Sequence, residues 1–161
     1  MNYYTLFELA ETPSVNKELL AAKYIALQKK YHPDFFTTDT ETAQEDALEK
    51  SAQINKAYNT FKSEDKTLAY FLEEKGILLP DEKYNLPPDF LMEMMELNES
   101  IEEQIDVTDK VKELETILVH NVKPLLEADI EPNFTTKAYE ELKAYYYKKK
   151  YLLRILERLE D

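Results

Sequence analysis

A single glycine, Gly76, in a chain of 161 residues is the feature that most limits what this sequence can fold into. Phosphate-cradling loops, nucleophile elbows and dinucleotide-binding turns each need several glycines at fixed spacing, so most nucleotide-handling enzyme classes are excluded. Apolar residues instead recur at steps of three and four along most of the chain, as they do on one face of an α-helix. We therefore expect an all-α protein.

Other scarce residue types exclude further kinds of site. The chain has no cysteine, so disulfides, thiolate catalysis and thiolate metal sites are excluded, and its two histidines, His32 and His120, are far apart in sequence. We expect no metal and no cofactor. The formal charge of −13 argues against nonspecific binding to nucleic acid, which needs clustered lysine and arginine. No basic leader and no bilayer-spanning stretch is present, which predicts a cytoplasmic protein without a membrane partner.

The first half of the sequence predicts four helices. A short one is expected over residues 3–9. The second follows Asn16 as its N-cap and ends near His32, because proline disfavours helical geometry in the residue before it. The third begins within the segment FFTTDTETAQ, and the fourth runs from a cap at Ser63 to a stop at Gly76.

The second half predicts three more helices. Asp89 opens an acidic helix, and Thr108 caps the next one, which Pro124 should kink or end near Asn121. A last long helix begins near Thr135. In its segment AYYYKKKYLL, we expect an inward set and an outward set of side chains, respectively Tyr145, Leu152 and Leu156, and Lys148 and Lys149.

A proline-rich segment separates the two halves. LLPDEKYNLPP combines several prolines with turn-forming residues, as linkers do. We therefore expect a first domain over residues 1–78, a linker over 79–87 and a three-helix bundle over 88–161.

The stretch KKYHPDFF has three interpretations. His32 beside Asp34 could be a general base oriented by a carboxylate, but adjacent positions in a bent loop rarely give that geometry, and no oxyanion loop accompanies them. It could also be an ordinary surface loop. Alternatively, Pro33 holds the tripeptide rigid between two helices, so that Asp34 offers a preorganised carboxylate to an arginine of a partner. The preceding helix would add a basic patch made of Lys23, Lys29 and Lys30.

Three segments of the first half resemble a J domain, the module of DnaJ-type co-chaperones. They are YTLFEL at 4–9, LQKKYHPD at 27–34 and SAQINKAYNTFK at 51–62. FLMEMMELNESIEE at 90–103 resembles the C-terminal domain of HscB. The whole chain is thus similar to the HscB-type J-domain co-chaperones of iron–sulfur cluster assembly, most strongly over residues 3–103.

The resemblance implies a function without catalysis by the chain itself. The first domain would dock on an HscA- or DnaK-type ATPase chaperone and stimulate its ATP hydrolysis. In that contact His32, Pro33 and Asp34 match the family tripeptide, and Lys23, Lys29 and Lys30 the family's basic helix. The bundle would bring an IscU-type cluster scaffold protein to the chaperone. The matching scaffold-binding positions are Leu91, Met92, Met95, Glu96, Glu99 and Glu103, with Tyr151 a weaker match.

The acidic helix supports a contact surface by its own pattern. Its better core face consists of Phe90, Met94, Leu97 and Ile101. This leaves Leu91, Met92 and Met95 as surplus apolar groups, and methionine adapts well to a partner surface. No lysine or arginine occurs between Lys83 and Lys110, so the acids there lack local ion-pair partners. The alternative is that these methionines fill the core and the acids form a solvated face.

Two other functions stay open. The chain could be a J-domain protein whose second domain serves a different client or only positions the first domain. It could also be a hydrolase that uses His32 and Asp34. In addition, Phe35 and Phe36 follow Asp34 where the family often has Lys-Phe, which removes one positive charge from the expected docking loop.

Overall fold

In a computed structural model of the chain, which describes residues 2–127 and 132–160, every regular element is helical. The all-α prediction is confirmed. The α-helices are α1 (Tyr3–Phe7), α2 (Lys17–Tyr31), α3 (Glu41–Phe61), α4 (Glu64–Glu74), α5 (Pro88–Glu102), α6 (Thr108–Leu126) and α7 (Thr136–Glu160), and a 3₁₀ turn covers Pro33–Phe36.

The described residues form two compact units that divide inside α4, between Phe71 and Leu72. The first unit holds residues 2–71 together with Pro132, and the second holds 72–127 and 133–160. The domain limits expected from the sequence, at residues 78 and 88, stay predictions.

Most helix boundaries follow from capping residues that the sequence supplies. The side chains of Asn16, Thr40 and Thr135 each accept a hydrogen bond from the backbone N–H three residues further on, at 2.9–3.2 Å. These bonds satisfy N–H groups that have no partner within the helix. Gly76 follows α4 with a φ of +72°, a backbone conformation that costs glycine little.

The first helix is shorter than predicted. It ends at Phe7 because Glu8 takes a left-handed conformation, with a φ of 53°. The N–H of Glu8 bonds back to the carbonyls of Thr5 and Tyr4, which closes the helix two residues before the expected end.

The prediction that Thr108 caps α6 is wrong. Thr108 is the first residue of the helix, and its N–H and hydroxyl both donate to the carboxylate of Asp106, at 3.0 and 2.7 Å. These bonds lower the pKa of Asp106 from its ordinary value.

Pro124 does not end α6 near Asn121, as the sequence suggested, because the helix continues to Leu126. The residue is exposed and lies only two positions before the end. The carbonyl deprived of its donor belongs to His120, which is also exposed, so water can replace the missing bond. Packing of α6 along α7, with Val122 buried, holds the last turn in place.

The core of the first unit is built around the fully buried ring of Phe61, at the end of α3. Rings from α1 and α4 surround it, with centroid distances of 5.0–6.3 Å, and they belong to Tyr3, Tyr4, Phe7 and Tyr70. Offset and edge-on contacts of this kind add to the stabilisation that burial alone provides. This cluster fixes the α2–α3 hairpin, because α1 packs on both of its helices.

A buried hydroxyl joins the end of α3 to α4, and it gives a stability prediction. Thr67 is 1% exposed, and its Oγ1 lies 2.7 Å from the carbonyl oxygen of Ser63 and 3.2 Å from those of Thr60 and Phe61. We expect Thr67→Val to lower the free energy of unfolding by about 1–2 kcal/mol, because buried acceptors lose their donor at nearly constant volume. Urea denaturation followed by circular dichroism measures the loss. Thr38→Val, at an exposed position, is the control, and an equal loss there would contradict the explanation.

The second unit contains the predicted three-helix bundle. α6 packs along α7, and α5 packs on α7 as well. The core face of α5 is as predicted, because Phe90, Met94 and Leu97 are buried and Ile101 is half-buried against them. From the other helices the same core receives Val107, Val111, Leu152 and Ile155.

Side chains of α7 follow the predicted inward set. Tyr145 and Leu152 are buried, and Leu156 packs partly buried against the core. Lys148 and Lys149 are half-buried rather than fully exposed. Their ammonium groups lie 5.8 Å from the ring centres of Phe90 and Tyr145, so their aliphatic stems cover apolar surface.

Candidate functional site

The His-Pro-Asp tripeptide lies at the turn where α2 ends. The N–H of His32 still donates to the carbonyl of Gln28, at 2.9 Å, but His32 itself is extended, with a ψ of 133°. Pro33 imposes this end of the helix, as the sequence predicted, and it also begins the short 3₁₀ turn. The carbonyl of His32 accepts the N–H of Phe35, at 3.0 Å, which closes the turn.

The side chains of this turn are preorganised and accessible. The Nδ1 of His32 accepts the backbone N–H of Asp34, at 3.2 Å, so the proton of the neutral imidazole lies on Nε2. The side chain of His32 is 46% exposed and that of Asp34 is 85% exposed. The Oδ2 of Asp34 lies 3.6 Å from Nδ1 of His32, and the two groups can form an ion pair when the imidazole is protonated. The turn therefore offers solvent an oriented N–H donor and, beside it, an exposed carboxylate acceptor.

The three lysines of α2 do not form one row. Lys23 and Lys30 are seven residues apart and share a face, whereas Lys29 lies on the neighbouring one. Lys23 is partly buried, with its Nζ 3.8 Å from a carboxylate oxygen of Glu8. Lys29 and Lys30 are exposed, and the Nζ of Lys30 lies 5.1 Å from the ring centre of Tyr31.

The sequence interpretation missed exposed apolar side chains close to this turn. Ile25 on α2, Phe35 in the turn and Leu48 on α3 are 54%, 64% and 62% exposed. The side-chain amide of Gln28 on α2 donates to Asn55 on α3, which marks one side of the hairpin. Ile25 lies one helical turn from Gln28, and Leu48 lies two turns from Asn55, on this side. Isoleucine and leucine thus share one face of the α2–α3 hairpin. Only the tertiary pairing of the two helices identifies that face.

A second exposed surface covers the outer side of α5. Leu91, Met92 and Met95 are 37%, 61% and 61% exposed, although they belong to a helix whose opposite face is fully buried. The matching acids on this side are also exposed, and they are Glu96, Glu99 and Glu103. Glu103 caps the end of α5, where its N–H donates to the carbonyls of Glu99 and Ile101. The alternative that Met92 and Met95 fill the core is therefore wrong, because both side chains are 61% exposed.

The remaining residue of this set lies where α7 meets α5. Tyr151 is half-buried, with its ring at 6.2 Å and nearly perpendicular to that of Phe90. Within residues 2–127 and 132–160, none of the carboxylates of α5 forms an ion pair. A groove of about 280 Å³ adjoins the surface on its other side, between α5 and the start of α6, with Glu93, Glu96 and Ser100 in its wall. We call the residues Leu91, Met92, Met95, Glu96, Glu99, Glu103 and Tyr151 the α5 patch.

A polar cluster that the sequence did not reveal binds the predicted linker to α7. Glu82 accepts from the ammonium of Lys143 and from the hydroxyl of Tyr147, both at 2.9 Å, and Lys143 also donates to the carbonyl of Ile77. The ring of Tyr84 stacks on that of Tyr147, at 4.4 Å. The side chains of Glu82 and Lys143 are only 16% and 13% exposed. Since the two residues are 61 positions apart, no local pattern could have indicated the pair.

The bond from Lys143 is the main reason why the pKa of Glu82 lies below its ordinary value of 4.5, and the bonds from Tyr147 and Leu79 act in the same direction. Burial, followed by the bond to Glu82, raises the pKa of Tyr147 to about 12. Both shifts favour the same arrangement near neutral pH, with an ionised carboxylate and a protonated phenol.

A pH-dependent stability follows from this cluster. A carboxylate whose pKa is lower in the folded chain stabilises the fold above its unfolded-state pKa, and the contribution disappears as the pH falls through the folded value. We expect Glu82→Gln to cost about 1–2 kcal/mol of unfolding free energy at neutral pH. The difference between variant and parent should shrink as the pH falls below 4.5. Urea titrations across this range measure it, with Glu113→Gln on the exposed side of α6 as the control. A difference that is independent of pH would contradict the assignment.

Comparison with known proteins identifies the family to which this chain belongs. A family model described as the HSCB C-terminal oligomerisation domain matches residues 86–160. The structure of chaperone HscB from Vibrio cholerae is 31% identical, covers 100% of this chain and 98% of its own, and superimposes with a TM-score of 0.68. The chain belongs to the HscB family of co-chaperones.

Further members of the HscB family agree with this assignment. The human co-chaperone protein HscB is 27% identical, with a TM-score of 0.75 over 99% of this chain and 81% of its own. Curated HscB homologues from Vibrio cholerae and Vibrio parahaemolyticus are 42% and 38% identical over 103 and 110 residues. These matches span 63% and 68% of this chain, and 60% and 64% of the relatives. The first unit is accordingly a J domain and the second the C-terminal bundle of an HscB-type protein.

Among the residues that the structure describes, no helix is long and apolar enough to cross a bilayer.

Proposed function

We propose that this HscB-family protein delivers an IscU-type scaffold protein to an HscA/DnaK-type chaperone in the cytoplasm and stimulates ATP hydrolysis by that chaperone. The observation that carries the first half of this proposal is the accessible His32-Pro33-Asp34 turn. The bond from the Asp34 N–H to Nδ1 holds the imidazole in one orientation, so little conformational entropy is lost when a partner binds its donor.

The α5 patch supports scaffold delivery. Exposed methionines suit a transient contact because they adapt to a partner without a fixed rotamer. The unpaired acids around them favour a basic partner surface, and such complementarity mainly accelerates association and selects the partner. The second unit would thus hold the client while the J domain acts on the chaperone.

The geometry gives no support to a hydrolase. Within the described residues, the only hydrogen-bond partner of the His32 imidazole is the backbone of Asp34, so no hydroxyl is positioned as a nucleophile. The turn is also open to water, whereas catalytic pairs usually act in sites from which water is partly excluded. We infer that the chain itself has no catalytic activity and needs no cofactor.

Two assays with purified components test the proposal. One measures binding of an IscU-type scaffold to the full chain, and the other measures ATP hydrolysis by the chaperone with and without the chain. We expect binding in the first assay and a rise in hydrolysis in the second, with a further rise when the scaffold is present. Stimulation without scaffold binding would favour a J-domain protein with a different client. The absence of both scaffold binding and ATPase stimulation would overturn the proposal.

A second role is favoured by the description of the matching family model, which names oligomerisation. We infer that the second unit self-associates in addition to binding a client. Sedimentation of the full chain at increasing concentration tests this role independently of the two assays above.

A further inference from the structure

Sulfur is distributed unevenly along this chain. The sequence has no cysteine and four methionines, and three of these, Met92, Met94 and Met95, lie close together in α5. From residue 2 to residue 91 the sequence contains no sulfur. Thiolates, which react most readily with oxidants, are absent, so thioethers are the side chains that a mild two-electron oxidant attacks first. Most of these thioethers belong to α5.

The three methionines of α5 differ in their access to solvent. Met94 is 0% exposed and belongs to the core of the second unit, whereas Met92 and Met95 are each 61% exposed. An oxidant has to reach the sulfur atom before it can transfer oxygen, so exposure decides which methionine reacts. The fold therefore protects one thioether and presents two.

The two exposed methionines lie among carboxylates. Met92 and Met95 are three residues apart, and Glu96 and Glu99 follow them at a distance of four, so all four side chains share the outer side of α5. Oxidation would add a polar S=O group whose oxygen can only accept hydrogen bonds. Ionised carboxylates also only accept, and α5 carries no basic residue that could donate. A sulfoxide on this surface therefore depends on water, which a partner that covers it has to remove at a cost in free energy.

We propose that Met92 and Met95 are a redox-sensitive modification site, where a peroxide converts the thioethers to sulfoxides and thereby lowers the affinity of the α5 patch for its client. In each reaction the sulfur lone pair attacks one oxygen of hydrogen peroxide and the O–O bond breaks. The leaving hydroxide takes the proton of the transferred oxygen and becomes water, so sulfur loses two electrons and the peroxide gains them. Methionine sulfoxide reductases, one for each sulfoxide epimer, restore the thioether. The loss of affinity rests on the proposed scaffold delivery, whereas the modification itself does not.

Oxidation at this site separates the two proposed activities of the chain. The His32 turn belongs to the first unit, and the sequence of that unit from residue 2 onward holds no sulfur. An oxidised chain should therefore stimulate the chaperone's ATPase as the untreated chain does, but without the further rise that the scaffold causes. General damage by the oxidant would lower both.

The selectivity of the modification is tested by mass spectrometry. The full chain is treated with hydrogen peroxide at neutral pH, and fragmentation of the peptide that spans α5 assigns each added oxygen. We expect Met92 and Met95 to be oxidised at least about tenfold faster than Met94. Circular dichroism should show unchanged helicity, because both reactive side chains lie outside the core. Oxidation of Met94 at the same rate as the other two would overturn the proposal.

The effect on the client is tested by isothermal titration of an IscU-type scaffold after the peroxide has been removed. We expect the dissociation constant to rise at least about tenfold when both sulfoxides have formed, since two buried acceptors then lack donors. Treatment with the two reductases should restore the original value. An unchanged dissociation constant with both sulfoxides present would overturn the proposal and leave scaffold delivery standing. Failure of the untreated chain to bind would instead overturn scaffold delivery, and with it the effect on the client.

A relocated sulfur provides the matched control. Met92→Leu combined with Met95→Leu removes both reactive sulfurs and keeps apolar side chains of similar volume. Whatever the affinity of this chain, peroxide should not change it. In the same background, Ile117→Met places a thioether on α6 at a position that is 49% exposed and outside the α5 patch. That methionine should be oxidised without any change in affinity, and a loss of affinity in either altered chain would overturn the assignment to Met92 and Met95.

Discussion

His32→Gln is expected to abolish stimulation of the chaperone's ATPase while leaving the J domain folded. The side chain is 46% exposed, and its only described hydrogen bond is the one from the N–H of Asp34. Loss of this one hydrogen bond should lower the free energy of unfolding by less than about 1 kcal/mol. Glutamine keeps an amide N–H donor, but on a flexible chain in place of the imidazole ring that the Asp34 N–H holds in one orientation. Misplacing the donor of a preorganised contact should cost the complex about 1.5–3 kcal/mol, which corresponds to a factor of roughly ten to a hundred in binding.

The chain supplies its own matched control for this experiment. His120 is the only other histidine in the sequence, and it is exposed on α6, in the other unit. His120→Gln makes the same chemical change and should leave ATPase stimulation at the level of the parent. If His32→Gln instead retains full stimulation, or loses helicity in parallel with stimulation, the turn is not the contact that acts on the chaperone.

Asp34→Asn separates charge from shape in the same turn. The substitution keeps the backbone bond to Nδ1 of His32 and the size of the side chain, but it removes a carboxylate that is 85% exposed. A similar loss of stimulation would indicate that the partner contributes a cation, as an arginine paired with a carboxylate does. Retained stimulation would assign the contact to the imidazole alone.

The features that the sequence predicted are those decided within a few residues. Pro33 restricts the residue before it, and this alone ends α2 at Tyr31 and displays His32 at the turn. The predicted caps at Asn16 and Ser63 are likewise local, because each side chain accepts a hydrogen bond from the N–H three residues further on. The exposure of Met92 follows from the number of apolar residues on α5, which exceeds what one core face can bury.

The features that the sequence could not predict depend on contacts between distant segments. In the sequence Glu82 is one of several polar residues in a proline-rich segment. In the structure it accepts hydrogen bonds from Lys143 and Tyr147 of α7, and its side chain is only 16% exposed. Neighbouring polar side chains can also compete for one backbone N–H, which the sequence does not resolve. Asp106 accepts the N–H of Thr108, so the threonine that was expected to cap α6 instead lies within its first turn.

The combined substitution Leu91→Ala and Met95→Ala is expected to weaken scaffold binding by roughly thirtyfold, since two truncated contact residues together cost about 2 kcal/mol or more. Met95 is 61% exposed and contributes little apolar burial to the fold, whereas Leu91 is 37% exposed, so the loss of stability should come mainly from Leu91. Alanine is also the best helix former, which offsets part of any loss in α5. Isothermal titration of an IscU-type scaffold into the variant measures the affinity, and urea denaturation measures the stability.

Truncation of Ile117 provides the comparison, because it is 49% exposed on α6 and lies outside the α5 patch. Ile117→Ala removes a similar apolar area and should leave scaffold affinity unchanged. The double variant should also retain ATPase stimulation in the absence of scaffold, since the His32 turn belongs to the other unit. It should lose only the further rise that the scaffold causes. Equal affinity of parent and double variant would mean that the exposed methionine surface of α5 does not bind the client.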